Sequence, residues 1–182
     1  LDAPLAQLVP GLYEKPAGAL TPRLLMAHAA GFPSGAPFYH GPEPDSPAAA
    51  ERRGDILAQV RRAPLAYEPG SKSVYSDTGM MLLGDVIEQL CGTRLDQVFE
   101  REVAGPLRLA DTFYRHLDAP LAKACRAAGA FAATEDCAWR GRVVRGQVHD
   151  ENAYALRGVA GHAGVFSTAA DLLEFASALL QS

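Results

Sequence analysis

Apolar residues recur at helical spacing in the middle of the chain. The clearest set is Met80, Leu83, Ile87 and Leu90. Gly92 follows directly and is typical of a helix end, because glycine adopts the left-handed conformation found there. A shorter helix is predicted over residues 95–103, with Thr93 as a plausible N-cap and Gly105 at its end. This pattern predicts two successive helices.

A third helix is predicted near the N-terminus. Thr21 is a favoured N-cap residue, Pro22 suits the first helical position, and Gly31 is expected to end the helix. Residues 31–45 then mix prolines and glycines densely and predict a long loop. Such a loop is either a functional lid or a plain surface excursion.

Two further helix starts use the same capping residues. Ser46 and Pro47 open an amphipathic stretch that runs to about Arg62. Thr168 and Asp171 form a pair resembling a capping box, ahead of an apolar run. Strand signals are confined to residues 131–133 and 143–148. We therefore expect a mostly α structure with a few short strands.

Composition excludes several classes of protein. The 182 residues are 48% hydrophobic, enough for one domain with a real core. Seventeen basic and 21 acidic residues give a net charge of −4 without a basic block, which argues against nucleic-acid binding. Apolar runs such as residues 80–83 are far too short for a transmembrane segment. The sparse, odd set of cysteines argues against a disulfide scaffold: Cys91, Cys125 and Cys137.

Polar groups beside glycines mark three candidate sites, of which residues 68–79 form the first. A Pro-Gly turn leads to Tyr75, Ser76 and Asp77 at the N-terminal end of the predicted helix that contains Met80. Asp77 is expected to cap the free N–H groups of that helix. Tyr75 is either an ordinary amphipathic tyrosine at a core edge or a functional group.

The other two polar segments are residues 149–153 and 158–164. A metal site could be imagined from His149, Asp150 and His162 with Cys125 or Cys137. These spacings match no zinc pattern, so we expect no metal. The glycines around His162 indicate a tightly packed bend, formed for structure alone or to line a pocket.

Taken in order, these segments resemble class C β-lactamase-like serine hydrolases. Residues 20–33 resemble the stretch that follows the nucleophile, and residues 69–77 resemble the Tyr-x-Asn region. Residues 161–172 are similar to the pocket-lining turn and its following helix. The resemblance covers nearly the whole chain and is weaker over residues 32–62 and 117–147.

The resemblance implies that residues 1–182 are a single partial domain, comprising the helical lobe and flanking elements of the α+β β-lactamase/transpeptidase-like fold. In that family a serine in Ser-x-x-Lys forms an acyl-enzyme. Tyr75 would relay its proton and Asp77 would position the lysine. A phenol has a pKa of about 10, so it can serve as a base only beside a cation that stabilises the phenolate. The implied substrate-binding residues are Ser76, Gly161, His162 and Ala163.

The chain departs from the family pattern in its missing motifs. It has no Ser-x-x-Lys, expected shortly before Leu1, and no Lys/His-Thr-Gly strand, expected beyond Ser182. Residues 162–164, His-Ala-Gly, are similar in sequence to the Lys/His-Thr-Gly motif. They precede a capped helix, however, so we assign them to a turn and not to a strand. Lys72 lacks the Ser-x-x-Lys context and is expected to be a solvated surface lysine. The chain is therefore expected to be an incomplete piece that is inactive alone.

Asp77 stands where many relatives have asparagine. An ionised carboxylate only accepts hydrogen bonds, so it cannot donate to the side-chain amide of a β-lactam. This favours esters or D-amino-acid peptides over β-lactams, with ester cleavage slightly ahead. The expected partners are a small ester, a β-lactam or a peptidoglycan-like peptide.

Two other functions remain open. A non-catalytic helical binding module derived from the same fold would lack Ser-x-x-Lys in its flanking sequence, and a small metalloprotein would use His149 and His162. The leading interpretation needs no cofactor, because its chemistry is covalent. The resemblance implies the periplasm or cell envelope, while the residues themselves leave the cytoplasm open.

Overall fold

The computed structural model describes residues 1–41, 46, 48, 51–118 and 131–181. The α-helices are α1 (Leu5–Leu8), α2 (Pro22–Met26), α3 (Arg53–Arg61), α4 (Asp77–Cys91), α5 (Leu95–Phe99), α6 (Glu151–Ala155) and α7 (Ala169–Leu180). A 3-10 turn covers Ala17–Ala19, and a π-helical turn covers Glu100–Ala104. The strands are β1 (Phe113–Tyr114), β2 (Ala133–Cys137), β3 (Arg142–Arg145) and β4 (Val165–Phe166). The prediction of a mostly helical chain with short strands is confirmed.

The strands form two antiparallel pairs, β1 with β4 and β2 with β3. The predicted strands at residues 131–133 and 143–148 overlap β2 and β3, but β2 runs on to Cys137 and β3 already ends at Arg145. Strands β1 and β4 were not predicted, because two residues are too few to show an alternating pattern.

Helix α4 is the central element. Ser76 is its N-cap, and the Ser76 Oγ accepts a hydrogen bond from the Gly79 N–H at 3.4 Å. The prediction of Asp77 as the cap was wrong by one position, since Asp77 is the first helical residue. The predicted end is confirmed, because Gly92 adopts a φ of 63°. The most buried side of the helix carries Met81, Leu82 and Val86, not the predicted stripe.

Helix α2 begins as predicted and ends early. The Thr21 Oγ1 accepts from the Leu24 N–H at 3.3 Å, which confirms the cap. The helix ends at Met26 instead of Gly31, because His28 adopts a left-handed backbone conformation with a φ of 52°. The predicted loop is confirmed over its described residues 31–41, which contain neither helix nor strand.

Helix α5 obtains its cap from another helix. Its N-cap position is Arg94, without a side-chain cap, so the prediction of Thr93 was wrong. Instead, Glu88 Oε1 of α4 accepts from the Leu95 N–H at 2.9 Å. Helix α5 and the π-helical turn together end at Ala104, close to the predicted end.

The remaining capping predictions concern α3 and α7. Pro47 lies outside the described residues, and α3 ends at Arg61, next to the predicted Arg62. Thr168 caps α7 by accepting from the Asp171 N–H at 3.3 Å. The Asp171 carboxylate accepts instead from the Thr112 hydroxyl at 2.8 Å, which attaches α7 to the segment before β1.

The core surrounds α4. Its largest fully buried side chains come from α1, α2, α3, α4, α6 and the connecting segments: Leu5, Leu20, Leu25, Phe32, Ile56, Val60, Met81, Leu82, Val86, Tyr154 and Leu156. Within the described part of the chain, no helix has both the length and the hydropathy needed to cross a bilayer.

A buried ion pair joins α3 and α4 inside this core. Asp85 has a side chain that is 0% exposed, and both its oxygens accept from Arg61 at 2.7 Å. The Tyr13 hydroxyl also donates to Asp85, at 2.8 Å. Burial, followed by the Asp85 charge, raises the pKa of Tyr13 well above its usual range. One carboxylate therefore links α3, α4 and the N-terminal segment.

Asp85→Asn is expected to lower the free energy of unfolding by about 3 kcal/mol, because it leaves the half-buried Arg61 guanidinium without its counter-charge. Urea unfolding followed by circular dichroism measures the change. The control is Asp2→Asn, which removes a solvent-exposed ion pair with Arg23 and should leave the midpoint unchanged. Equal midpoints for both variants would contradict a stabilising role for the buried pair.

Candidate active site

The residues at the entrance of α4 are held in place by His28. The Ser76 N–H donates to His28 Nδ1 at 3.2 Å, and the His28 ring lies 4.7 Å from the Tyr75 ring, between centroids. The Ser76 side chain is buried and caps the helix. Tyr75, in contrast, is 63% exposed. This arrangement presents the phenol to solvent on a fixed backbone.

Two carboxylates raise the pKa of the Tyr75 phenol. The Asp77 carboxylate is the main cause of a raised Tyr75 pKa, with smaller contributions from burial and from Asp150. The backbone of Asp77 is attached to the loop after α2, because the Asp77 N–H donates to the Ser34 carbonyl at 3.4 Å. Among the described residues, the charges that shift this phenol are carboxylates. Tyr75 is therefore protonated at neutral pH in this environment.

The glycine-rich turn at residues 158–164 packs directly on α4. A Cβ added to Gly161 would lie 2.1 Å from the Met80 carbonyl oxygen, and one added to Gly84 would lie 3.0 Å from the Gly161 Cα. Gly158 adopts a φ of 87°. The two backbones touch without intervening side chains, so the expected tightly packed bend is confirmed.

His162 in this turn is bound to Asp150. The His162 Nε2 lies 2.8 Å from Asp150 Oδ1, and its side chain is only 2% exposed. Burial opposes ionisation of Asp150, but hydrogen bonds from His162 and the Ala153 N–H outweigh it and lower its pKa. Because an ionised carboxylate only accepts, Nε2 carries the hydrogen. Nδ1 is buried and has no hydrogen-bond partner among the described residues.

Asp150 therefore connects the two halves of the site. It caps α6, holds His162 and acts electrostatically on Tyr75. Ala163 is partly buried and packs against the core beside the same turn. The structure thus gathers the predicted residues around the first turns of α4, with Tyr75 exposed and His162 enclosed.

An open groove adjoins the entrance of α4. It has a volume of about 700 Å³ and is lined by residues of the loop after α2 and of helix α3, and by Thr78. Apolar and small side chains dominate its loop side: Pro33, Ala36 and Phe38. The Thr78 hydroxyl is buried and makes no hydrogen bond within the described residues. Since Thr78 follows Asp77 directly, this groove is next to the candidate site.

Two supporting residues were missed by the sequence analysis. His28 orders the Tyr75 segment, and Asn152 holds the loop after α2, accepting from the Tyr39 N–H at 3.0 Å and donating to the Ala36 carbonyl at 2.9 Å. Their partners are 48, 113 and 116 residues away in sequence, so no local pattern reveals them.

The other sequence predictions concern a metal and a lysine. His149 contacts Glu135 instead of the pair formed by Asp150 and His162, and Cys125 lies outside the described residues. The hypothetical ligand set of the sequence analysis is therefore not assembled among the described residues. The Lys72 ammonium is 4.6 Å from the centre of the Tyr67 ring, and the residue is exposed as predicted.

Comparison with known proteins identifies the family. The model of the β-lactamase family matches residues 1–182. The chain belongs to this family. It is 34% identical, over 94% of its length, to a putative D-alanyl-D-alanine carboxypeptidase of Escherichia coli K12. It is 39% identical, over 81% of its length, to an N-acetylmuramyl-L-alanine amidase of Bacillus subtilis.

Solved structures of this family share the fold. The chain superposes on a β-lactamase/D-alanine carboxypeptidase of Pseudomonas syringae with a TM-score of 0.68 at 19% identity, covering 98% of this chain and 43% of the other. A penicillin-binding protein of Bacillus halodurans gives 0.64 at 22% identity, covering 99% and 52%. The chain spans 42% and 35% of the two curated relatives.

Gly161→Ala is expected to destabilise the protein by about 1–3 kcal/mol, because the new methyl group would overlap the Met80 carbonyl and force the turn away from α4. Urea unfolding measures the loss. The matched control is Gly54→Ala on α3, where an added Cβ meets nothing within 4 Å. That control should gain about 0.5–1 kcal/mol. A gain in both variants would mean that the turn is loosely packed.

Proposed function

We propose that the chain forms the helical lobe and one wall of the active site in a β-lactamase-type serine hydrolase. The observation that carries this proposal is the position of Tyr75, exposed at the capped entrance of α4 beside the Asp150–His162 pair. In this proposal residues 1–182 are a partial domain, and the Ser-x-x-Lys segment lies elsewhere in the protein.

The proposed reaction is acyl transfer. The serine Oγ attacks the substrate carbonyl, and its proton passes through the Tyr75 hydroxyl to the leaving group. Water then hydrolyses the acyl-enzyme and restores the serine. Asp77 would hold the lysine of Ser-x-x-Lys close to Tyr75 and so supply the cation that a phenolate requires.

The proposed substrates are D-amino-acid peptides or esters. The support is that relatives carry the names D-alanyl-D-alanine carboxypeptidase and N-acetylmuramyl-L-alanine amidase. Asp77 in the Tyr-x-Asn position argues against efficient β-lactam hydrolysis, since its carboxylate only accepts hydrogen bonds. The open groove that Thr78 helps to line offers apolar space for a substrate side chain.

His162 is proposed to shape the pocket wall instead of donating to substrate. Its Nε2 is already bound to Asp150, and the side chain is almost wholly buried. In the neutral ring Nδ1 is an acceptor, so donation from it would require a protonated imidazole. Gly161 and Ala163 would act with it as wall residues, and Ser76 would act by holding Tyr75 in place.

A non-catalytic binding module is the alternative. The observation in its favour is that the 182 residues contain no Ser-x-x-Lys. The raised pKa of Tyr75 also leaves the phenol inert without an added cation. The two functions differ in whether the natural full-length protein has a reactive serine.

The first test is intact-mass analysis after treatment with a fluorophosphonate or a labelled penicillin. We expect one adduct on the natural full-length protein and none on the 182-residue chain of 19.3 kDa.

Tyr75→Phe should slow acylation by at least about 100-fold, because the proton relay is lost. Tyr39→Phe, in a tyrosine that packs on Trp139, is the control and should acylate normally. An unmodified full-length protein would favour the binding module.

Asp77→Asn should lower the Tyr75 pKa towards its ordinary value, because it removes the main charge that opposes the phenolate. In the full-length protein it should also raise the rate of penicillin acylation, since asparagine can donate to the β-lactam amide. Tyrosine carbon NMR titration and stopped-flow labelling measure the two effects. The control is Asp2→Asn, which removes a carboxylate from the exposed ion pair with Arg23. Unchanged acylation would contradict the assigned role of Asp77.

A further inference from the structure

A second cluster of reactive side chains lies on the β2–β3 hairpin, outside the candidate active site. Glu135 and Cys137 are two residues apart on β2, so their side chains project from the same face of the strand. Glu151 is the first residue of α6. One ligand atom from each of these residues lies within 4.8 Å of the other two. Three potential metal ligands from two separate elements therefore converge.

The cluster is partly buried and, among the described residues, has no lysine or arginine paired with it. Cys137 is only 3% exposed. The Oε1 atom of Glu135 is buried and has no hydrogen-bond partner among the described residues. In the same part of the chain, the ion-pair partner of Glu135 is His149, and neither Glu135 nor Glu151 pairs with lysine or arginine. A buried carboxylate oxygen without a partner is costly, and a bound cation would remove that cost.

His149 adds a fourth donor at the edge of the cluster. Its Nε2 lies 3.9 Å from Glu135 Oε2, and its side chain is 53% exposed and so has room to turn. The four side chains then offer one sulfur, one nitrogen and two carboxylate oxygens. Zn²⁺ prefers such mixed sets in tetrahedral geometry, whereas Mg²⁺ and Ca²⁺ prefer oxygen alone.

We propose that Glu135, Cys137 and Glu151, completed by His149, form a structural Zn²⁺ site. On binding, the Cys137 thiol loses its proton to solvent and the thiolate coordinates the metal. Four protein ligands leave no open position for catalysis. The metal would attach the β2–β3 hairpin to the start of α6, directly beside Asp150, and so stabilise the wall that contains His162.

The site differs from the metal set considered from sequence. That set shares His149 and Cys137 with this site, but it also required Asp150 and His162, which bind each other in the structure. The spacing between Glu135 and Cys137 is that of a strand, and Glu151 is reached only through the hairpin. No zinc-finger pattern in the sequence therefore reveals the site.

The test is titration of the metal-free protein with Zn²⁺ and with Co²⁺ in competition with a chromophoric chelator. We expect one equivalent of either metal to bind and Zn²⁺ to raise the melting temperature. The Co²⁺ form should show a thiolate-to-cobalt charge-transfer band in the near ultraviolet. Cys137→Ser should remove that band and weaken Zn²⁺ binding by more than about tenfold, since loss of an outer-shell contact alone already costs about 10–100-fold.

The matched control is Cys91→Ser, an exposed cysteine at the end of α4. It should keep both the band and the affinity. Should Cys137→Ser fail to fold by circular dichroism, Glu151→Gln provides the second variant, with exposed Glu174→Gln on α7 as its control. Absence of stoichiometric binding to the wild-type protein would overturn the proposal. So would a charge-transfer band that survives Cys137→Ser.

Discussion

The candidate site depends on direct backbone contact between α4 and the turn at residues 158–164. Gly161 lies so close to the Met80 carbonyl that a methyl group cannot enter, and Gly84 completes the contact from the helix side. Because glycine carries no side chain, the separation of the two backbones is fixed by their own atoms. The position of His162 relative to Tyr75 is therefore set by this contact and by Asp150, with little freedom left to the turn.

Buried polar groups stabilise the helices and loops that carry the candidate site. Asp85 binds Arg61 and Tyr13 within the core, and Asn152 fastens the loop after α2 to the start of α6. His28 performs the same task for the backbone of Ser76. Each of these groups is satisfied by partners from distant parts of the chain, which is what specifies one arrangement of the helices. The exposed phenol of Tyr75 is thereby presented on a rigid support.

The sequence reveals the local features of this fold and little of its long-range chemistry. The caps at Thr21 and Thr168 and the stop at Gly92 are found correctly, because each acts within one helical turn. The end of α2 is missed, since the left-handed conformation of His28 accompanies contacts with the Tyr75 segment. The family resemblance predicts which residues belong to the candidate site, whereas their distances and burial are seen only in the folded structure.

The proposed chemistry needs a cation beside Tyr75, because the charges of the described residues oppose ionisation of its phenol. The carboxylate of Asp77 and, more weakly, that of Asp150 oppose loss of the Tyr75 proton. His162 does not relieve this effect, because its Nε2 donates to Asp150 within a buried pair. The negative potential of two carboxylates near an exposed phenol instead favours binding of a cation. An ammonium group placed there would pair with Asp77 and, by the same electrostatics, lower the pKa of Tyr75. The two carboxylates that oppose ionisation of Tyr75 thus also favour a cation beside its phenol, and a cation there is what the proposed mechanism requires.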